Sequence, residues 1–117
     1  RKHFWVKDVP FNAILIKSLQ SLAHIASLLK DEEGEHFALK EAEAMKKAMR
    51  ERMFEDGVYW STSGTEYEKL KVATWAHFAT LFAGLYTEEE ADAVVKLHLR
   101  NTNTFKAAFG VRHRSLM

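Results

Sequence analysis

The sequence predicts an all-α fold of two helical pairs, each combining one buried helix with one amphipathic helix. Helix-breaking residues are sparse, with one Pro and five Gly among 117 residues. Apolar residues make up 47% of the chain and recur at helical spacing in four segments. This length suits one domain rather than two, so residues 1–117 are treated as a single domain.

The first predicted helix covers about residues 10–29. Asp8 can cap its amino end, and Pro10 suits a first helical turn. Apolar side chains surround most of the helix, with Ser and Asn in the gaps, which predicts a buried helix. Its apolar residues are Phe11, Ile14, Leu15, Ile16, Leu19, Leu22, Ile25, Ala26, Leu28 and Leu29.

The second predicted helix, from residue 31 or 32 to residue 54, is amphipathic. Glu, Lys and Arg occupy most of its surface, so one face is expected to meet water. A single apolar stripe runs along the other face. Its members are Ala38, Ala42, Met45, Met49 and Met53.

A short β-hairpin is expected within residues 57–72. Turn residues at 55–57 and 62–65 flank the β-prone segment 58–61. The segment 66–72 is expected to return as its partner strand.

The third predicted helix covers about residues 74–85 and carries no charged side chain. Only His77 and Thr80 are polar, so this helix is also predicted to be buried. Gly84 lies near its end, where a left-handed cap is expected.

The fourth predicted helix begins with a capping box, in which Thr87 is the cap and Glu90 reaches back to it. It runs to residue 99 or 100. The residues expected to face inward are Ala91, Val94, Val95 and either Leu97 or His98.

Charge and composition exclude several functions. A net charge of +1 with mixed signs disfavours nucleic-acid binding, and the apolar runs are too short for a membrane span. Without Cys there is no disulfide or thiolate metal site, which fits a cytoplasmic location. The histidines lack the i, i+4 pairing of a metal-binding helix, so neither a metal nor another cofactor is expected. The residues concerned are His24, His36, His77 and His98.

Alternating buried and amphipathic helices suggest a double-layered helical toroid or a helical repeat array. The two pairs are not close repeats of each other, which disfavours a short-period repeat family. The first and third predicted helices are apolar on most sides, and two amphipathic helices cannot shield all of this apolar surface from water. We therefore expect either a piece of a larger domain or a chain that self-associates.

Five segments, in order along nearly the whole chain, carry a family resemblance: residues 6–15, 22–29, 57–60, 81–91 and 105–111. Their sequences are VKDVPFNAIL, LAHIASLL, GVYW, LFAGLYTEEEA and FKAAFGV. Together they resemble toroidal glycoside hydrolases of the trehalase, mannosyl-oligosaccharide glucosidase and mannosylglycerate hydrolase type. The resemblance implies an (α/α)6 toroid, of which this chain would supply about two helical hairpins as a partial domain.

The resemblance also implies an activity for the parent domain, which is hydrolysis of a glycosidic bond with inversion. Its substrates would be small glucosides or mannosides, or the ends of oligosaccharides. Such enzymes use an acid and a base carboxyl about 6.5–9.5 Å apart. In the family these lie upstream and downstream of the matched stretch, so no catalytic residue is assigned here. The chain alone is expected to be inactive.

Candidate sugar-binding residues lie in the connections that lead into the two buried helices. Trp5, Asp8 and Asn12 are the candidates, with Trp60 and Trp75 weaker, because aromatic faces pack on sugar C–H surfaces while hydroxyls need polar partners. A structural interpretation competes with this one. In it, Asp8 is only a helix cap, Asn12 satisfies backbone groups, and Trp75 belongs to the core.

The alternative function is a small helical interaction module without catalytic activity. It would self-associate into a homo-oligomer through the first helix and the third, because large exposed apolar patches mark partner surfaces. The third helix would contribute Trp75, Phe78 and Phe82.

Overall fold

The computed structural model describes residues 6–108 and 110–115. The described part is mostly helical and carries five two-residue strands. The helices are α1 Val9–Leu28, α2 Glu32–Met53, α3 Ala76–Phe82 and α4 Glu88–Val94, the last continued by a π-helical turn at Val95–Leu99. The strands are β1 Val6–Lys7, β2 Phe54–Glu55, β3 Val58–Tyr59, β4 Thr62–Ser63 and β5 Glu68–Lys69.

The starts of three helices follow from local capping. Asp8 caps α1 by accepting a 3.0 Å hydrogen bond from the Phe11 amide, as predicted. Asp31 caps α2 in the same way, with the Gly34 amide as donor at 3.0 Å. The predicted capping box at Thr87 opens α4.

Helices α1 and α2 pack closely because small residues line their contact. Ala13 and Ala23 of α1 are buried, as are Ala38 and Ala42 of α2. Alanines let two helix backbones approach, and larger side chains fill the space toward the strands. The predicted apolar stripe of α2 is confirmed as the face that packs inward. The larger buried residues of this core are Val9, Ile16, Met49, Met53 and Tyr59.

The prediction that α1 is buried is wrong for the described structure. Only one of its two apolar faces is packed, and the other is exposed, with Phe11 67%, Leu22 58% and Leu28 70% accessible. Among the described residues nothing covers that second face, because α2 and α3 both lie against the first. We call the uncovered side the outer α1 face. Its members are Phe11, Ile14, Leu15, Leu22, Ile25 and Leu28.

Helix α3 departs from its prediction in a similar way. Its fully buried side chains are the polar ones, His77 and Thr80, whereas Phe82 is 62% exposed and the preceding Trp75 is 51% exposed. Gly84 after the helix has φ +70°, which confirms the left-handed cap. The radius of gyration is 16.0 Å, against about 13 Å expected for a globular domain of this length. The chain therefore forms an open slab.

A β-hairpin lies within residues 57–72, as predicted, but its first strand is not the predicted segment 58–61. Val58–Tyr59 pairs with Phe54–Glu55, not with 66–72. The loop between them is Asp56-Gly57 with φ +54° and +81°, the positive values that a tight two-residue hairpin requires. A second hairpin joins Thr62–Ser63 to Glu68–Lys69.

The first strand completes a small sheet. Val6–Lys7 pairs antiparallel with Thr62–Ser63, so the strand order is β1-β4-β5. This pairing ties the start of α1 to the loop region before α3. Among the described helices, none combines the length and the apolar character that a membrane crossing requires.

Two isoleucines of α1 test the assignment of its faces. Ile16→Ala is expected to lower the free energy of unfolding by about 2–5 kcal/mol, because Ile16 is fully buried. Ile25→Ala removes the same atoms from the outer α1 face, and we expect a change within about 0.5 kcal/mol. Urea unfolding followed by circular dichroism measures both. Equal losses would mean that the outer face is covered in solution.

Candidate functional site

The starts of α1 and α3 lie side by side. Asp8, which caps α1, and Trp75, which precedes α3, line one pocket of about 460 Å³ together with Phe11 and Thr74. The two connections that the sequence analysis singled out therefore converge at one end of the slab.

A second pocket of about 310 Å³ adjoins the first. The two share Asp8, Ser61, Thr74 and Ala76, and the second adds Trp60. We treat them as one surface, the Asp8 cleft. It is defined by Asp8, Trp60, Ser61, Thr74 and Trp75.

Asp8 serves as a cap and still presents an acceptor to the cleft. Its Oδ2 accepts the Phe11 amide at 3.0 Å, whereas no described residue donates a hydrogen bond to its Oδ1. The Ser61 hydroxyl oxygen accepts from the Val9 amide at 3.0 Å, which fixes this side of the cleft. Among the residues that line the two pockets, Asp8 is the only acidic one.

The other two candidate residues are not brought into the cleft. Asn12 donates from Nδ2 to the Asp8 carbonyl at 2.8 Å, and it lines a different cavity beside Lys7. Trp5 lies outside the described residues. Sugar contact by either residue stays a prediction.

The two described tryptophans have different environments. Trp60 donates from Nε1 to the Glu55 carbonyl at 2.9 Å and packs edge-on to His77, with ring centroids 4.8 Å apart. Trp75 is half exposed, so an uncommitted ring surface is available. The structure thus favours Trp75 over Trp60 as a sugar platform, although the sequence analysis ranked both below Asp8.

His77 forms the inner wall of the cleft. Its Nδ1 lies 3.2 Å from the Tyr59 carbonyl, which can only accept, so Nδ1 carries the proton. Burial lowers the pKa of His77 to about 4, and the nearby His98 adds to the effect. His77 is therefore neutral near pH 7, with no proton on Nε2 to donate to a substrate.

The histidines lie in different environments. His77 is buried in the core, whereas His24 is exposed on α1. The structure also brings His77 and His98 together, with ring centroids 5.8 Å apart, which their spacing in the sequence did not indicate. Within residues 6–108 and 110–115, no group of three metal-binding side chains occurs.

Ser61 and Thr74 are cleft residues that the sequence analysis missed. Each is next to a tryptophan in the chain, which was the one available signal. A single carboxylate, two hydroxyls and an exposed indole can hold a polar ring-shaped ligand. They lack the second carboxylate that inverting hydrolysis needs.

The fold matches one section of a larger known helical structure. The structure of neutral trehalase Nth1 from Saccharomyces cerevisiae matches 97% of this chain with a TM-score of 0.75 and 17% sequence identity. The chain spans 23% of that trehalase chain. At this identity the likeness shows the fold.

The family follows from the sequence. The family model of the mannosylglycerate hydrolase MGH1-like glycoside hydrolase domain matches residues 1–116, so the chain belongs to this family. A comparison with curated proteins gives no match.

Proposed function

We propose that this chain forms one section of the wall of a glycoside hydrolase domain and contributes the Asp8 cleft to its sugar-binding funnel. The observation that carries the proposal is the convergence of Asp8 and Trp75 on one pocket. They come from two separate connections, one leading into α1 and the other into α3. Carboxylates outside this chain would perform the hydrolysis.

The chemistry of the cleft suits a sugar. An indole face packs on the apolar C–H side of a pyranose ring, and the exposed Trp75 offers such a face. The free Asp8 Oδ1 and the hydroxyls of Ser61 and Thr74 supply partners for sugar hydroxyls. A small pocket with few convergent polar groups is typical of ligand sites.

Family membership supports a substrate of the glucoside or mannoside class, or an oligosaccharide end, hydrolysed with inversion in the parent domain. The single carboxylate in the cleft supports the inactivity of the chain by itself, because inversion needs an acid and a base. We propose a cytoplasmic location, with which the absence of Cys from these 117 residues is compatible.

Titration with methyl α-D-glucoside and methyl α-D-mannoside tests the sugar site. We expect saturable shifts of the Trp75 indole N–H signal in ¹H–¹⁵N spectra, with a Kd of roughly 10–100 mM. This Kd corresponds to a standard binding free energy of only about 1–3 kcal/mol in favour of the complex. Trp75→Ala should abolish saturable shifts of the remaining cleft amides. Phe82→Ala, which removes another exposed ring at the far end of α3, should leave them unchanged.

Two results would contradict the proposal. The first is an equal loss of sugar binding in the Trp75 and Phe82 variants, which would mean that the cleft is not the site. The second is turnover of nitrophenyl α-glycosides by the chain above the spontaneous rate, which would mean that its catalytic carboxylates lie within it.

The alternative, a self-associating interaction module, is supported by the outer α1 face. That face is apolar and exposed, and two of its members, Phe11 and Ile14, line one pocket with the exposed Trp75. Sedimentation velocity at low micromolar concentration distinguishes the two functions. A dimer that Leu22→Glu dissociates, without sugar-dependent shifts, would support the module, and a monomer would contradict it.

A further inference from the structure

A small cavity separate from the Asp8 cleft lies between β1, the last turns of α2 and the β4–β5 loop. Its volume is about 150 Å³. Its polar lining comes from Lys7, Asn12, Arg52 and Tyr67, and its floor from the methionine stripe of α2. None of the residues that line it is acidic. We call it the Tyr67 pocket.

The Tyr67 pocket and the Asp8 cleft lie on opposite sides of β1. Successive side chains of a strand point to opposite faces, so Lys7 points away from the side taken by Val6 and Asp8. Val6 and Asp8 line the cleft, whereas Lys7 lines the Tyr67 pocket. The two sites can therefore be occupied independently.

Two cations meet at the Tyr67 ring. The Lys7 ammonium lies 4.8 Å from the ring centroid, and the Arg52 guanidinium lies 4.6 Å from it. Lys7 also donates to the Gly64 carbonyl at 3.0 Å, which fixes its position. Arg52 is in the last turn of α2, where the helix dipole favours a cation.

Neither cation is neutralised within the described structure. The ion pairs of residues 6–108 and 110–115 involve other Lys and Arg side chains, such as Lys71 with Glu55 and Arg50 with Glu90. Two positive charges therefore line one cavity that has no acidic wall. Such an arrangement attracts an anion, and the cation–π contacts with Tyr67 favour a position of both cations beside the cavity.

We propose that the Tyr67 pocket binds a small oxyanion, namely a phosphate or carboxylate group. The guanidinium fork of Arg52 matches two oxygens of such a group, and Lys7 adds a point charge. The cavity has the volume of about five water molecules, which suits a phosphate or a short carboxylic acid. The methionine floor can accept the carbon stem of a carboxylic acid. This inference stands apart from the proposed sugar site.

Titration of the 117-residue chain with inorganic phosphate, and separately with lactate, tests the site. ¹H–¹⁵N spectra are recorded near neutral pH, with chloride added to hold the ionic strength constant. We expect saturable shifts at the amides around Lys7, Arg52 and Tyr67, with a Kd in the low millimolar range for at least one anion. The ratio of the two Kd values identifies the preferred group.

Two variants and a matched control link binding to the pocket. Arg52→Gln is expected to weaken binding at least tenfold. Ala48→Glu places a carboxylate one helical turn from Arg52 inside the lining, where it should compete with the anion and abolish binding. Lys47→Gln makes the same charge change as Arg52→Gln at an exposed α2 position outside the pocket, and it should bind like the parent chain.

Three results would overturn the proposal. They are shifts that never saturate with either anion, an Arg52→Gln variant with unchanged affinity, and a Lys47→Gln variant that loses as much affinity as Arg52→Gln. Glu is a good helix former, so Ala48→Glu is expected to leave α2 folded. This variant therefore tests the pocket even if Arg52→Gln unfolds the chain.

Discussion

Replacing Tyr59 with Ala is expected to lower the free energy of unfolding by about 3–5 kcal/mol, as for other large buried aromatics. Tyr59 is 1% exposed and lies in the core formed by α1, α2 and the segment after α3. Its ring packs edge-on to Phe54 at 5.1 Å and to Tyr86 at 5.3 Å.

Tyr59→Phe separates the ring from the hydroxyl. The hydroxyl donates to the Leu85 carbonyl at 3.0 Å, and that carbonyl also accepts from Arg50 at 3.3 Å. Because one donor remains, we expect Tyr59→Phe to lose only about 0.5–1.5 kcal/mol. Urea unfolding followed by fluorescence measures both variants. If the two lose the same amount, the packing of the Tyr59 ring against Phe54 and Tyr86 does not stabilise the fold.

Acidification is expected to weaken the link between α2 and α4. Arg50 donates to both carboxylate oxygens of Glu90 at 2.8 Å, and the Thr87 amide adds a 2.9 Å bond. The Arg50 hydrogen bonds, followed by the Thr87 amide, lower the pKa of Glu90 from 4.5 to about 2. The ionised form is thus the one that the folded state favours.

The direction of the pH dependence follows from this lowered pKa. A depressed carboxyl pKa contributes stability above the unfolded pKa of 4.5, and this contribution is lost as the pH falls through about 2. The Glu90 side chain is 27% exposed and that of Arg50 is 37% exposed, so water screens the pair. We therefore expect a loss of about 1–2 kcal/mol between pH 5 and pH 2, not the full value of the shift.

The Glu90→Gln variant isolates the contribution of the Arg50–Glu90 ion pair to the loss of stability in acid. Urea midpoints of the variant should decline less between pH 5 and pH 2 than those of the parent chain, because the titrating group is gone. Glu89→Gln, on the exposed side of the same helical turn, should keep the parent slope. An unchanged slope in Glu90→Gln would assign the acid sensitivity to other carboxyls.

Local features were predictable from the sequence because their causes lie within one or two turns of chain. The Asp8 cap, the Thr87 and Glu90 capping box and the left-handed Gly84 were all placed correctly. Each depends on a side chain or a backbone dihedral that acts within about four residues. Helix α2 was also predicted closely, because its single apolar stripe admits only one orientation.

Burial and strand pairing were not predictable in the same way. A helix that is apolar on most sides, such as α1, is predicted to be buried whether or not the partner that covers it belongs to the same chain. Nothing in the local sequence therefore predicts that Leu22 and Ile25 are exposed. The hairpin was misassigned because the Asp56-Gly57 turn and the 62–65 turn compete for the same strand residues. Strand pairing also involves elements distant in the chain, since β1 pairs with β4.

The same distinction between local and long-range causes applies to the candidate site. The sequence by itself determined the helical class, the caps and the family resemblance. It also placed Asp8 at the start of the first helix. Only the tertiary structure decided that Asp8 meets Trp75, that Asn12 lies across β1, and that Lys7 and Arg52 converge on Tyr67. The reason is physical: Lys7 and Tyr67 are sixty residues apart along the chain, and only β-sheet pairing and helix packing bring such distant side chains together.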